Sequence, residues 1–219
     1  MPPLNDPQRF DLTPAEAVQA QKRLAPLVRI ESVTSPVRTV AGFDLSFRDG
    51  MALAAAVVVE VGSLQTVDEA TVHLPVSFPY VPGLLSFREA PAILAAYAKL
   101  LTHPDVLMLD GQGLAHPRRF GIACHVGVAL GVPSLGAAKS PLIGKGVAPG
   151  PERGSTAPIV HRGDTVGVAL RTRAGTKPVY VSVGHLITLE ESVDLVLRLS
   201  PRWRVPEPTR RAHILAGKR

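Results

Sequence analysis

Three acids in this chain stand where an acid needs a reason. Asp44 lies inside the apolar run VAGFDLSF, where strand alternation puts it on the face shared by Gly42 and Ser46. A carboxylate buried there is costly unless something pairs with it; the plainer alternative is that this face is wet. Asp110 closes the short apolar run VLML and is followed by Gly111-Gln112-Gly113. Open α/β sheets bind ligands beyond the carboxyl ends of their strands, and two glycines would let a substrate backbone come close. The local alternative is an Asx turn, in which the side chain serves its own loop. Glu89 follows Ser86 at the spacing of a capping box, which would occupy its carboxylate. Pro91 speaks against that box, because a helix starting just after Ser86 places proline past the first turn. A start nearer Arg88 or Glu89 seats the proline and frees the acid. Three carboxylates from separate segments could converge on a hard divalent cation such as Mg2+, which lowers the pKa of bound water and stabilises the leaving oxygen of an in-line displacement. Phosphodiester hydrolysis is the chemistry such a cluster serves.

Basic and aromatic groups surround these acids in the sequence. His116, Arg118 and Arg119 sit in LAHPRRFG just after the Asp110 turn, where Arg would hold phosphate bidentately and His would donate a proton, or where the segment is simply a solvated turn. Lys139 closes the run SLGAAK, an ordinary place for a solvated lysine. His213 lies three residues after Arg210 on one face of EPTRRAHIL, and a lone helical histidine is more often structural. Tyr80 stands between two prolines in Pro79-Tyr80-Val81-Pro82. With φ fixed at both prolines, this is a stiff knob able to wedge between stacked bases, unless the tyrosine packs inward in a surface turn.

The elements that must position these groups are legible from periodicity. Residues 13–28 read as a helix with Thr13 as N-cap, Pro14 at N1 and Glu16 at N3. Strand-like runs over 39–47, 51–61 and 65–76, the first two joined by Asp49-Gly50, predict an antiparallel meander. A helix over 87–102, a buried strand over 106–109, a helix over 120–130 stopped by Gly131 and a strand over 133–138 follow. Further strands are predicted over 165–171 and 179–183, a helix over 189–199, and a C-terminal helix from about Pro208. The order β-β-β-α-β-α-β predicts an α/β fold with a mixed sheet flanked by helices, the ribonuclease H-like arrangement, in one domain over 1–219.

Composition bounds the partners. The 219 residues suit one core without disulfides or structural metal, and the single cysteine, Cys124, leaves no internal disulfide and no multi-cysteine zinc site. No basic segment followed by an apolar stretch opens the chain, and no apolar run approaches the roughly 20 residues of a membrane span, so a soluble cytoplasmic protein without a membrane partner is expected. Formal charge is +6, with 18 Arg against 6 Lys, and seven of the basic residues fall within 198–219. A polyanionic partner is one reading of that excess; genomic base composition is the other.

Taken together, VAGFDLSF, PYVPGLLSFREAP, LDGQGLAHPRRFG, GAAKS, VSVGH and PEPTRRAH resemble the signature segments of the endonuclease V family, in order from about Val40 to His213. The resemblance implies a ribonuclease H-like fold and Mg2+-dependent cleavage of DNA containing deoxyinosine, at the second phosphodiester 3′ to the lesion, leaving 3′-hydroxyl and 5′-phosphate ends. It implies Asp44 and Asp110 as Mg2+ ligands, with Glu89 completing the acidic cluster. His213 would assist there, and His116 and Lys139 would contact the scissile region. Pro79 to Pro82 would form the wedge, Arg118 and Arg119 would bind DNA, and Gly83, Leu85 and Gly111 would line the pocket for the turned-out hypoxanthine. A base outside the stack can be read along its Watson–Crick edge, and a weakly paired lesion costs less to extrude. Gln112, Ala137 and Val81 depart from the usual family residues without touching the acids or Tyr80. The rival readings are an inosine-specific endoribonuclease, a non-catalytic nucleic-acid-binding module and, more remotely, a Holliday-junction or transposase-like nuclease; a monomer is expected.

Overall fold

The structure, a computed structural model, describes residues 5–144 and 147–217. The first helix, α1 (Pro14–Leu24), begins with the expected capping box: the Glu16 backbone N–H donates to the Thr13 hydroxyl while the Glu16 carboxylate accepts from the Thr13 N–H. It tightens into a 3-10 turn over Ala25–Leu27. The meander follows as β1 (Thr39–Arg48), β2 (Met51–Glu60) and β3 (Thr66–Pro75). Asp49 and Gly50 both take positive φ, at 50° and 75°, the tight turn that an Asp-Gly pair favours.

Then come α2 (Leu85–Tyr97), β4 (Val106–Leu109), α3 (Ile122–Leu130) and β5 (Ser134–Ala138). The last third contains β6 (Thr156–His161), β7 (Asp164–Leu170), β8 (Val179–His185), α4 (Leu189–Arg198) and α5 (Glu207–Gly217). The eight strands of the described residues form one sheet in the order β3-β2-β1-β4-β5-β8-β7-β6. β1–β4 and β4–β5 pair in parallel and the other neighbours run antiparallel, so the sheet is mixed, as the order of elements predicted.

Two points differ from expectation. β6 was not anticipated: it carries Pro158, which argues against a strand, and the Arg162-Gly163 turn that pairs it with β7 lacks a strong hairpin signature. In addition, α2 starts at Leu85, about one turn ahead of a start at Arg88 or Glu89, and keeps Pro91 in its interior. The carbonyl of Phe87 therefore receives no i+4 bond, a cost offset by packing: Phe87, Ala90 and Ile93 on this helix are all buried.

Helices cover both faces of the sheet. Val40, Val57, Leu135 and Val181 pack with Leu195 of α4 and Ala212 of α5 on one side, while Ala41, Phe43, Val58 and Leu107 pack with Ile93 of α2 and Val126 of α3 on the other. α5 approaches β1 more closely than any side chain would allow. A Cβ on Gly42 would stand 2.1 Å from the Pro208 carbonyl carbon and 2.3 Å from the Thr209 nitrogen. The face of β1 that carries Gly42, Asp44 and Ser46 is therefore roofed by α5, with the Ser46 hydroxyl donating to the Ala216 carbonyl. Gly42 is buried there and Asp44 half-buried, while Ser46 at the outer end is exposed.

Candidate active site

The parallel register explains how two of the acids meet. Phe43 pairs with Leu109 at the end of the β1–β4 ladder, so Asp44 and Asp110, one residue further along each strand, stand at neighbouring positions. Glu89 enters from α2 opposite them. All three line one cavity of about 100 Å3 whose walls are otherwise apolar, Phe43, Ile93, Leu109 and Ile122 among them.

Those walls set the electrostatics. Burial raises the Asp44 carboxyl above its ordinary range, partly offset by a hydrogen bond from His213, whose Nδ1 lies 3.0 Å from Asp44 Oδ2. Burial, followed by the charges of Asp44 and Asp110, pushes Glu89 up to about 7. Asp110 is held by an ion pair with Lys139, so its side chain serves no local Asx turn and Lys139 is no ordinary solvated lysine. Glu89 accepts no hydrogen bond within the described residues. It is also free of the capping box, but for a reason other than the one expected: Ser86 lies inside the helix, buried, with its hydroxyl 3.0 Å from His125 Nδ1.

The donor set suits Mg2+ in kind, being hard, anionic and oxygen-only. Among the described residues, no three His, Cys, Asp or Glu side chains form a ready-made metal cluster. The excess negative charge in an apolar cavity is the observation that favours a cation there.

A second, larger cavity of about 330 Å3 adjoins the first and shares Asp110, Leu85 and Ile122 with it. Its lining includes Tyr80, Val81 and Pro82 together with Gly83, Gly111, His116 and Lys139. Tyr80 is 72% exposed, so the inward-packed alternative for this residue does not hold. The glycines of the Asp110 turn have a structural task as well: a Cβ on Gly113 would fall 1.9 Å from the Val183 carbonyl oxygen, so β8, rather than a substrate, requires glycine at that position.

The loop carrying Gly83 is held from below. Its carbonyl accepts from Gln21 Nε2 at 3.1 Å, His116 Nε2 at 2.9 Å and Arg118 Nη2 at 2.6 Å. His116 Nδ1 accepts the Arg118 backbone N–H, which places the ring proton on Nε2. Burial and the neighbouring Arg118 charge lower His116 to about 4, so it is neutral near pH 7. The expectation that His116 donates a proton to phosphate does not fit this environment; the residue braces the pocket lining instead. Arg118 and Arg119 are likewise engaged within the protein, Arg118 with Gly83 and with Gln21 Oε1, Arg119 with Asp164 and the His161 carbonyl, both at 3.0 Å. They fix the loop rather than presenting open forks to DNA. Sequence reasoning missed Gln21, because a glutamine on an amphipathic helix carries no signal of its own.

Two buried neutral histidines give a pH prediction. His125, enclosed by Phe10, Phe87 and Phe120, is lowered to about 4 by burial, as is His116. In the unfolded chain both titrate near 6.5, so between pH 6.5 and 4 the unfolded state binds more protons and stability falls as pH drops. The expected loss from pH 7 to pH 5 is about 2 kcal/mol per histidine. Glu89, raised to about 7, binds its proton more tightly in the folded state and offsets about one histidine over the same interval, so the net loss is about 2 kcal/mol. Urea unfolding of the wild type and His116→Gln at both pH values checks this: the variant should lose little stability between them, and an unchanged pH slope would contradict it.

Comparison with known proteins decides the class. The family model for Endonuclease V matches residues 22–214. The chain belongs to the endonuclease V family. It is 50% identical to the Endonuclease V of Myxococcus xanthus, an alignment spanning 95% of this chain and 90% of the relative. Its fold superposes on the crystal structure of Endonuclease V from Streptomyces avermitilis with a TM-score of 0.90 at 45% identity, covering 94% of this chain and 92% of that one. Endonuclease V from Ciona intestinalis, solved in complex with a 24mer DNA containing an inosine followed by a ribo-adenosine, matches with a TM-score of 0.77 at 27% identity, covering 92% of this chain and 95% of that one. The resemblance read from the motifs and the α/β fold read from the order of elements both hold. As a member of the endonuclease V family the chain is an endonuclease, and among the described residues no helix is long and apolar enough to cross a membrane.

Proposed function

We propose that this chain is a Mg2+-dependent deoxyinosine endonuclease that hydrolyses the second phosphodiester 3′ to the lesion. The observation that carries the reading is the junction of two cavities at Asp110: an acidic one fit for phosphate chemistry and a larger one beneath an exposed aromatic wedge. The Ciona relative's complex with inosine-containing DNA supports the choice of substrate.

Asp44, Glu89 and Asp110 would hold Mg2+, which when bound supplies Lewis acidity at the scissile phosphate and a water of lowered pKa. The chain's own groups do the rest. Lys139 offsets the charge of Asp110 and borders the path of the phosphate. His213, hydrogen-bonded to Asp44, holds a proton at the edge of the cluster. Hydrolysis adds water to phosphorus and breaks the P–O3′ bond, so the leaving oxygen takes up a proton and the products are a 3′-hydroxyl and a 5′-phosphate. Tyr80 fills the gap left in the stack, while the lining formed by Gly83, Leu85 and Gly111 receives the turned-out base. Because the Gly83 loop is braced by Gln21, His116 and Arg118, the pocket is organised before substrate arrives.

Matched end-labelled DNA and RNA duplexes, each with one inosine, incubated with Mg2+ or chelator, test the reading. A single DNA cut at the second bond 3′ to inosine, absent with chelator, is expected. Cleavage in chelator, base release without strand scission, or preferential cutting of the RNA duplex would overturn it. Tyr80→Ala should cost roughly 5- to 100-fold in binding to the inosine duplex, the value of one base stack, with little change for undamaged duplex. Equal losses on both duplexes would count against the wedge.

A further inference from the structure

Tyr80 and the lesion pocket lie toward the α2/α3 side of the sheet, whereas α5 and the segment leading into it lie on the other side. Between them, at the strand ends, stand Asp110, Lys139 and the start of β8. Just beyond Lys139 the chain places its sole tryptophan, Trp203, 48% exposed. An isolated exposed apolar residue is common on any surface and by itself signifies little. Three features set Trp203 apart.

The first is anchoring. The neighbouring Arg204 spends its guanidinium on three backbone carbonyls: Nη2 donates to Lys139 at 2.6 Å and to Pro178 at 2.8 Å, and Nε to Lys177 at 2.8 Å. The Thr172 hydroxyl donates to the Arg204 carbonyl at 2.7 Å. The segment bearing the indole is thus tied directly to the residue that pairs with Asp110. The second is ring orientation. The Arg210 guanidinium lies over the indole, 5.5 Å from its centroid, and is itself held by Glu207 at 2.7 Å. The ring is backed by a fixed cation. The third is charge. The stretches 172–178 and 200–206, TRAGTKP and SPRWRVP, contain Arg173, Lys177, Arg202 and Arg204 and no acid.

With Arg204 and Arg210 engaged inside the protein, Arg173, Lys177 and Arg202 are the cations left to meet a ligand beside the ring. An aromatic face flanked by such cations is the arrangement that binds single-stranded nucleic acid, the cations tracking the phosphates and the ring stacking on a base. We infer that Trp203 is a second stacking platform, which takes a base of the nucleic-acid strand on the 3′ side of the cut. The inference rests on the proposed polarity of cleavage: with the lesion under Tyr80 and the scissile phosphate at Asp110, the strand continuing 3′ crosses the strand ends past Lys139 and reaches Arg204 and Trp203. Two aromatic contacts, one on each side of the cut, would hold that phosphate in register more firmly than the lesion pocket alone. A strand clamped at both ends would also leave slowly after cleavage.

The single tryptophan reports on this directly. In chelator, so that nothing is cut, inosine-containing single strands ending at the scissile position or extending four nucleotides beyond it are titrated against the wild-type protein while tryptophan emission is followed. The longer strand is expected to quench Trp203 and the shorter one to leave it nearly unchanged. Trp203→Ala should weaken binding of the long strand about tenfold and leave the short strand unaffected, and Trp203→Phe should restore most of the loss. Emission indifferent to both strands, or equal losses on both in Trp203→Ala, would overturn the inference. Length-dependent quenching that persists on inosine-free strands would support the platform while telling against the inosine reading. Inosine-directed cleavage with flat emission would sink the platform and leave that reading intact.

Discussion

Replacing Asp110 with Asn is expected to lower the cleavage rate on an inosine duplex roughly 10³-fold or more while leaving the protein folded. A loss of that size corresponds to about 4 kcal/mol of transition-state stabilisation, the upper end of what one charge-stabilising group provides at a developing anion. Asparagine preserves the shape of the side chain and one oxygen, but removes the charge that both Lys139 and a cation in the acidic cavity require. The folded state should tolerate the change. The Asp110–Lys139 pair is partly exposed and contributes little to stability, and loss of one of three crowded carboxylates relieves Glu89 and Asp44. Single-turnover cleavage at saturating enzyme, with binding followed separately by anisotropy, distinguishes chemistry from affinity. Binding within severalfold of wild type with cleavage nearly absent is the expected outcome; wild-type cleavage by the variant would remove Asp110 from the chemistry.

Gly42→Ala is expected to damage both fold and activity, although position 42 touches no candidate site. The added methyl would meet the Pro208 carbonyl carbon at 2.1 Å, and both partners are backbone, so no rotamer change relieves the contact. α5 must move, at a cost of about 3 kcal/mol, the upper part of the overpacking range. Because α5 carries His213, its displacement also breaks the hydrogen bond to Asp44. Urea unfolding should show the destabilisation, and cleavage measured well below the unfolding transition should still be reduced at least tenfold. A variant with wild-type stability would mean that α5 does not press on β1 as described.

This pair of positions shows what the sequence discloses and what it withholds. Asp44 and Asp110 were visible as acids at strand positions, because period-2 alternation and strand ends are local properties. Their adjacency was not, since it depends on the parallel register of β1 with β4 across more than sixty residues of intervening chain. The capping box of α1 and the Asp49-Gly50 turn formed as read, because both are decided within four residues. α2 did not, because burial of Phe87, Ala90 and Ile93 outweighed the local penalty of Pro91. The brace under Gly83 was hidden for the same reason as the acidic junction: Gln21, His116 and Arg118 converge from α1 and a distant loop on one carbonyl oxygen. Arg118 and Arg119 misled in the opposite sense. Arginine beside a motif suggests phosphate, but the type of side chain does not reveal whether its partner is a ligand or the protein itself.

Titration calorimetry of Mg2+ into the wild type and into Asp44→Asn, Glu89→Gln and Asp110→Asn, each alone, asks most directly whether the three carboxylates share one cation. The expected result is a single class of site in the wild type and at least tenfold weaker binding in every variant. Mg2+ affinity that none of the three substitutions changes would show that the cavity at the strand ends is not where the metal acts.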